Sequence, residues 1–314
     1  MPLFEELTDE FSREDIAAGV QQISEETITA VVADAIQMTG LKRVSLSGGV
    51  LSNVKVNQRI REMEVVEDVY VHPNMTDGKL AAGAALKAWA GDVSKSGEKP
   101  SPRYLKDVYL GPSFTNDDVE RAIGKFSFKA EKSDNVEEKI AELLKNKTVV
   151  GHFSGKMEYG PRALGNRSIL ADATDSSIND WLNDRLTRTE FMPFAPSILE
   201  EHSAEYYKGW DRDQAAARFM TMTYDVNDGL AAAAPAVSHI DNTARPQVVR
   251  QEDNPRYHKI LSLYREKTGL PLVVNTSFNV HEEPIVCSPE DALRSLEKNS
   301  VDVLVMEDWI VSKD

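Results

Sequence analysis

Apolar residues recur at helical spacing through Ile16, Val20, Ile23, Ile28, Val31, Val32 and Ile36, and Gly40 closes the run. Ser12, with Asp15 three residues later, supplies a start resembling a capping box, so the pattern predicts one long amphipathic helix. The period then shortens. Val44 and Leu46 predict a strand that runs into a tight bend at Gly48-Gly49, followed by a helix over 54–63, a strand over 69–71 and an alanine-rich helix over 80–89. Alternating helix and strand of this kind make half of an α/β domain.

Between Gly91 and Arg103 the run GDVSKSGEKPSPR is too rich in Gly, Ser, Pro and charge to build a core, and it predicts an interdomain linker. The chain therefore divides into 1–97 and 98–314. In the second part, helices are expected near 115–125, 135–145, 176–186 and 255–267 and after Ser288. Strands are expected at 148–153, 272–275, 284–286, 303–306 and 309–311. The stretch from ADAT to PSIL has no clear period, and GLAAAAPAVSH (229–239) suits a mobile loop over a site.

The 314 residues carry a formal net charge of -15, which argues against a role in coating nucleic acid or anionic membrane. No apolar run is long enough to span a bilayer and no secretory signal follows Met1, so a cytoplasmic enzyme is expected. The single cysteine, Cys287, has no partner for an internal disulfide and reads as a small residue at a strand end.

Against this acidic background, residues 151–170 gather Lys156, Arg162 and Arg167 around Gly155, Gly160, Pro161 and Gly165. Guanidinium forks match phosphate or carboxylate, and glycines let backbone N–H groups approach an anion. The same composition also suits a surface turn whose cations pair with Glu158 and Asp172. Asn275, Thr276, Ser277, Phe278 and Asn279 follow an apolar strand, where their amides and hydroxyls either meet a ligand or satisfy a local turn. Gly48 and Gly49 at a strand-to-helix junction have a similar double reading, with no Walker-type lysine following.

The order KMEYGPRALGNRSIL (156–170) resembles the signature of the NodU/CmcH-type O-carbamoyltransferases. FMPFAPSIL (191–199), PLVVNTSFNVHEEPIVCSPEDAL (271–293) and SLSGGVLSNVKVNQRI (45–60) extend the resemblance over most of the chain. It implies a partial actin-like, ASKHA-type half-domain over 1–97 and an α/β YrdC-like domain over 98–314. It further implies formation of carbamoyl-adenylate from carbamoyl phosphate and ATP with Mg²⁺, then transfer to a hydroxyl of a small-molecule, sugar or natural-product acceptor.

Carried over residue by residue, the resemblance makes Lys156, Arg162 and Arg167 the catalytic cations. Ser168, Arg188, Asn275, Ser277 and Asn279 become substrate contacts, Gly48, Gly49 and Asn53 nucleotide contacts, and Asp77 a ligand for iron or another divalent metal. The family's H-x-x-x-H pair and first phosphate loop are missing from this sequence, so Met1 is expected to fall inside the actin-like domain. That raises the alternative of a nucleotide-binding subunit or remnant completed by a partner chain or a second copy. An RNA-modifying carbamoyl-adenylate enzyme is a further alternative.

Overall fold

The computed structural model describes residues 10–101, 105–187, 194–212 and 215–313. Helix α1 (Arg13–Thr39) begins where Ser12 Oγ accepts the Asp15 N–H and ends at Gly40, whose φ of 70° lets its N–H return to the Ile36 carbonyl. Only Val32 of its apolar stripe is buried, and Val20, Ile23, Val31 and Met38 are exposed. Strands β1 (Arg43–Leu46) and β2 (Asp68–Val71) pair in parallel across helix α2 (Val54–Arg61). Helix α3 (Lys79–Lys95) continues six residues beyond the expected 80–89 and takes in the first part of the expected linker. Ser94 Oγ bonds back to the Ala90 carbonyl and Ser96 Oγ to Val93, so local side-chain bonds extend a helix that composition would end.

The rest of the chain supplies α4 (Asn116–Ile123), β3 (Lys129–Lys132), α5 (Val136–Lys145), β4 (Val150–Phe153), β5 (Arg167–Ala171), α6 (Ser177–Arg185), β6 (Ala195–Leu199) and α7 (Ser203–Tyr206). These are followed by β7 (Tyr224–Asp225), α8 (Asp228–Ala233), β8 (Thr243–Ala244), β9 (Gln247–Val249), α9 (Pro255–Thr268), β10 (Leu272–Ser277), α10 (Pro289–Glu297), β11 (Val303–Met306) and β12 (Trp309–Ser312). Eight of the strands form one mixed sheet in the order β3-β12-β11-β4-β5-β10-β6-β9. Every residue of β4, β5 and β6 is buried. Successive strand residues point to opposite faces, so both faces of the sheet centre are covered. Helix α5 packs on α9 and α4 on α10, and both pairs rest on the sheet.

Strand β6 ends the stretch without period and β5 lies just before it, in the segment expected to be an anion-holding loop, because central strands buried on both faces lose the alternation that marks an exposed one. β3, the edge strand KAEK, is exposed throughout and carries no apolar signal. Pro284–Val286 is not a strand: Pro284 has no N–H for a ladder, and the segment is held by Val286 N–H to the Phe278 carbonyl and Asn279 Nδ2 to Glu283. GLAAAAPAVSH is not a loose cover either. It forms α8 and a short turn whose Leu230, Ala234, Ala236 and Val237 are buried, with Ala236 tied to Ala173 and to Asn179.

Helix α2 joins the smaller sheet to the larger body. Val56 and Ile60 lie in the same apolar cluster as Leu304 and Val305. On its polar side Asn57 Nδ2 reaches the Thr221 carbonyl, Gln58 Nε2 reaches Asp225, Lys55 pairs with Asp241, and Arg61 lies 4.8 Å from the centre of the Tyr224 ring. The two sheets are thus packed through a shared core.

His152 on β4 links this core to pH. It is buried, its Nδ1 meets the Gly165 carbonyl and its ring stacks on Tyr257. Burial first, then repulsion from Arg256, pushes its imidazole down to about 3 from 6.5, against the opposing hydrogen bond to Gly165. The unfolded chain therefore binds a proton that the folded chain refuses between those values. Stability should fall as pH drops from 6.5 toward 3. Denaturant melts across that window should show a shallower loss for His152→Gln, whose amide does not titrate.

Candidate functional site

The loop between β4 and β5 is organised by a carboxylate of its own. Glu158 Oε1 accepts the N–H of Leu164 (2.6 Å), Asn166 (2.8 Å) and Arg167 (3.2 Å), while the Gly165 N–H goes to Ser168 Oγ at 2.9 Å. Gly155, Gly160 and Gly165 adopt φ of 55°, 118° and 110°, which wraps the chain around this internal anion. At Gly165 a Cβ would stand 2.4 Å from Tyr257. Burial raises the Glu158 carboxyl, and the amide donors oppose that rise. The amides expected to meet a ligand are spent on the loop itself.

Arg167 likewise turns inward. It is fully buried, its guanidinium carbon lies 3.7 Å from the centre of the Phe153 ring, and it donates to the carbonyls of Ser154, Asn166, Pro112 and Gly155. This geometry corrects the expectation of a phosphate contact, because a guanidinium enclosed by four carbonyls braces the loop. Ser168 is also fully buried, with its hydroxyl holding Gly165. Lys156 is exposed at the loop tip, away from the cavity described next, and its carbonyl accepts Asn166 Nδ2.

Arg162 has the opposite fate. With Arg245, from the turn between β8 and β9, it lines a cavity of about 60 Å³ closed by Pro161, Ala163, Phe194, Ala195, Met220, Asn275, Thr276 and Ser277. Among the described residues no acidic side chain lines it. Neither arginine has an ion pair among the described residues, and Arg162 Nε is buried without a partner. Burial pushes the Arg245 guanidinium down to about 9, repulsion from Arg162 adds to that, and burial lowers Arg162 too. Two uncompensated like charges on an enclosed cavity favour an anion with several oxygens. β10 adds Asn275 and the Ser277 hydroxyl, so three of the expected residues, Arg162, Asn275 and Ser277, converge.

Other expected contacts lie elsewhere. Asn279 donates to the Val280 and Glu283 carbonyls and shapes the following turn. Arg188 lies outside the described residues. In the smaller sheet, Gly48 takes φ 141° and its N–H reaches the Met75 carbonyl, while Asn53 caps α2 through Val56 N–H and exchanges hydrogen bonds with Gln21. Gly49 is exposed at the start of a single 3₁₀ turn. Lys79 Nζ, donating to the Met75 carbonyl, lies 3.6 Å from where a Gly48 Cβ would stand. Asp77 is exposed, and among the described residues no three His, Cys, Asp or Glu side chains gather into a metal set. These residues alone do not fit an iron site.

Arg245 was illegible as a site residue because TARPQVV reads as a turn entering a strand, although one cation among apolar residues was a signal. The opposed environments of the arginines give opposed mutational outcomes. Arg167→Met should lower stability by about 3 kcal/mol, since it orphans several buried carbonyls. Arg162→Met and Arg245→Met should leave the thermal midpoint unchanged or raised, because each relieves a buried like-charge contact. Parallel thermal melts of the three variants check the sign.

Comparison with known proteins gives the same chain two matches: residues 141–313 match the carbamoyltransferase C-terminus and residues 3–86 the carbamoyltransferase N-terminus. An uncharacterized protein of Methanocaldococcus jannaschii is 36% identical over 96% of this chain and 49% of its own length. Nodulation protein NolNO of Sinorhizobium fredii is 34% identical over 95% of this chain and 44% of its own, and nodulation protein U of that organism is 32% identical over 85% and 46%. Among solved structures, full-length HypF in the phosphate- and nucleotide-bound form aligns with a TM-score of 0.39 and 20% identity over 60% of this chain and 23% of its own. The chain spans about half the length of the curated relatives it matches. With its C-terminal match alone covering more than half of its residues, the chain belongs to the carbamoyltransferase family.

Proposed function

We propose that this chain is the carbamoyl-activating part of an O-carbamoyltransferase, with Arg162 and Arg245 holding the anionic oxygens of carbamoyl phosphate. The supporting observation is the pair of uncompensated guanidiniums on one small cavity. The cavity has room for a phosphate or carbamate group between the two guanidiniums. ATP, entering as its Mg²⁺ complex, would present only its reacting phosphate to this cavity.

In this reading water hydrolyses carbamoyl phosphate to carbamate and inorganic phosphate with release of a proton, and a carbamate oxygen attacks the α-phosphorus of ATP as pyrophosphate leaves. The carbamoyl-adenylate so formed gives its carbamoyl carbon to an acceptor hydroxyl, which loses its proton as AMP departs. Arg162 and Arg245 favour these steps by facing charge that builds on oxygen, in a site where little solvent competes. Ser277 supplies a hydroxyl that can donate or accept, and Asn275 an amide fixed by its neighbours. The division at 1–97 and 98–314 then assigns activation to the second unit. The net charge of -15 disfavours the RNA-modifying alternative.

Transfer to the acceptor is proposed to need polypeptide beyond these 314 residues, whether in the same chain, in a partner or in a second copy. Helix α3 has no buried residue, and Val20, Ile23, Val31, Met38, Leu80 and Leu86 are exposed on this side of the chain. The two-stranded sheet also leaves unpaired strand edges. A nucleotide-binding, non-catalytic subunit is the reading that remains if activation fails.

Three outcomes are expected. Given Mg²⁺-ATP and carbamoyl phosphate, the purified chain should release pyrophosphate only when both are present. Arg162→Ala or Arg245→Ala should weaken carbamoyl phosphate binding about tenfold or more, from a charge-assisted contact worth roughly 1.5–3 kcal/mol. Pyrophosphate no higher than a heat-killed control would sink the activation reading. In light scattering, the chain should associate with itself or with a complementary chain, and a dilute monomer that carbamoylates an acceptor unaided would contradict the need for a partner.

A further inference from the structure

The wall of the arginine cavity carries a second orphan, and a network outside the cavity dictates its orientation. Gln247 Nε2 donates to the Leu164 carbonyl at 2.7 Å, and a carbonyl can only accept, so the Gln247 amide has one permitted orientation. Its Oε1 must then face Ser197 and Asn275, and it accepts from Ser197 Oγ at 2.6 Å and from Asn275 Nδ2 at 2.8 Å. Asn275 Nδ2 also lies 2.9 Å from Ser197 Oγ and 3.3 Å from the Ala163 carbonyl. Turning the Asn275 amide over would set its oxygen against Gln247 Oε1 and the Ala163 carbonyl, which only accept, while the Ser197 hydroxyl already donates to Gln247. The amide is therefore locked with Nδ2 in the network, and Oδ1 is left buried with no donor.

Asn275 is 1% exposed and lines the same cavity as Arg162 and Arg245. A ligand that satisfies the whole wall must offer anionic oxygens to the guanidiniums and an N–H to Oδ1. A carbamoyl group attached to phosphate does both. We infer that Asn275 is the specificity-determining residue that selects a carbamoyl group over an acetyl group of the same shape, by accepting a hydrogen bond from the carbamoyl –NH₂. The inference rests on the proposed carbamoyl-handling reading of this cavity. A site built around a hydrogen bond rejects an isostere that leaves its buried partner unpaired far more strongly than an apolar pocket tells two shapes apart.

The test uses two hydrolytically stable phosphonates that differ only at the discriminating position, phosphonoacetamide with –NH₂ and acetonylphosphonate with –CH₃, together with inorganic phosphate. Calorimetric titration of the unaltered chain should show the amide binding at least tenfold more tightly than the ketone. In Asn275→Leu that ratio should fall to about one while inorganic phosphate binds as before. Equal binding of the two phosphonates by the unaltered chain overturns the inference and leaves the anion site standing. A tenfold preference that persists in Asn275→Leu overturns the assignment to this residue. Failure of all three probes to bind overturns the reading of the cavity as well. Should Asn275→Leu not fold, the same pair of titrations on Asn275→Ala, which also lacks the amide oxygen, decides.

Discussion

The Glu158 carboxylate is the constraint from which the candidate site follows. A loop with three glycines at positive φ has little intrinsic preference for one shape, and ordering it is costly in backbone entropy. Three amide donors converging on one buried carboxylate oxygen set that shape, and Arg167 seals it by spanning four carbonyls. Opposite charges, each bonded to several backbone groups, hold the loop. Removing either would leave several buried polar groups unpaired at once.

That internal satisfaction is also what leaves Arg162 without a partner. The loop's only buried carboxylate is occupied by amides, so the guanidinium four residues further along has no acid to meet and is turned to the cavity with Arg245. In a chain with a net charge of -15, two cations without carboxylate neighbours are costly to fold. An anion bound between them would offset that cost, which is how the proposed site would exchange stability for affinity. The Asn275 amide follows the same logic in neutral form: its donors are consumed by the network and its acceptor is left for a ligand.

The sequence made the elements largely legible where amphipathic period and caps coincide. Ser12 and Gly40 bound α1 as expected, and Ser288 with Asp291 forms the capping box that starts α10. It was silent on β5 and β6, since a strand buried on both faces has no alternation to read, and it mistook Gly91–Lys95 for linker because side-chain bonds from Ser94 and Ser96 are invisible in composition. For the site, charge and glycine content located the right loop but not the right arginine. Arg162 and Arg167 are equivalent in sequence, five residues apart; what separates them is that one meets Phe153 and four carbonyls while the other meets a second cation. Only tertiary structure carries that difference.

The same loop ties the cavity to the smaller sheet. Gly160 has no room for a side chain, because a Cβ there would come within 3.1 Å of the Pro73 carbonyl, and Tyr159 meets the edge of His72 with ring centres 5.9 Å apart. Residues 72–75 in turn hold the other glycine bend, since the Met75 carbonyl accepts both the Gly48 N–H and Lys79 Nζ. A contiguous run of packed backbone therefore connects the Arg162 loop to the Gly48 turn through one short segment.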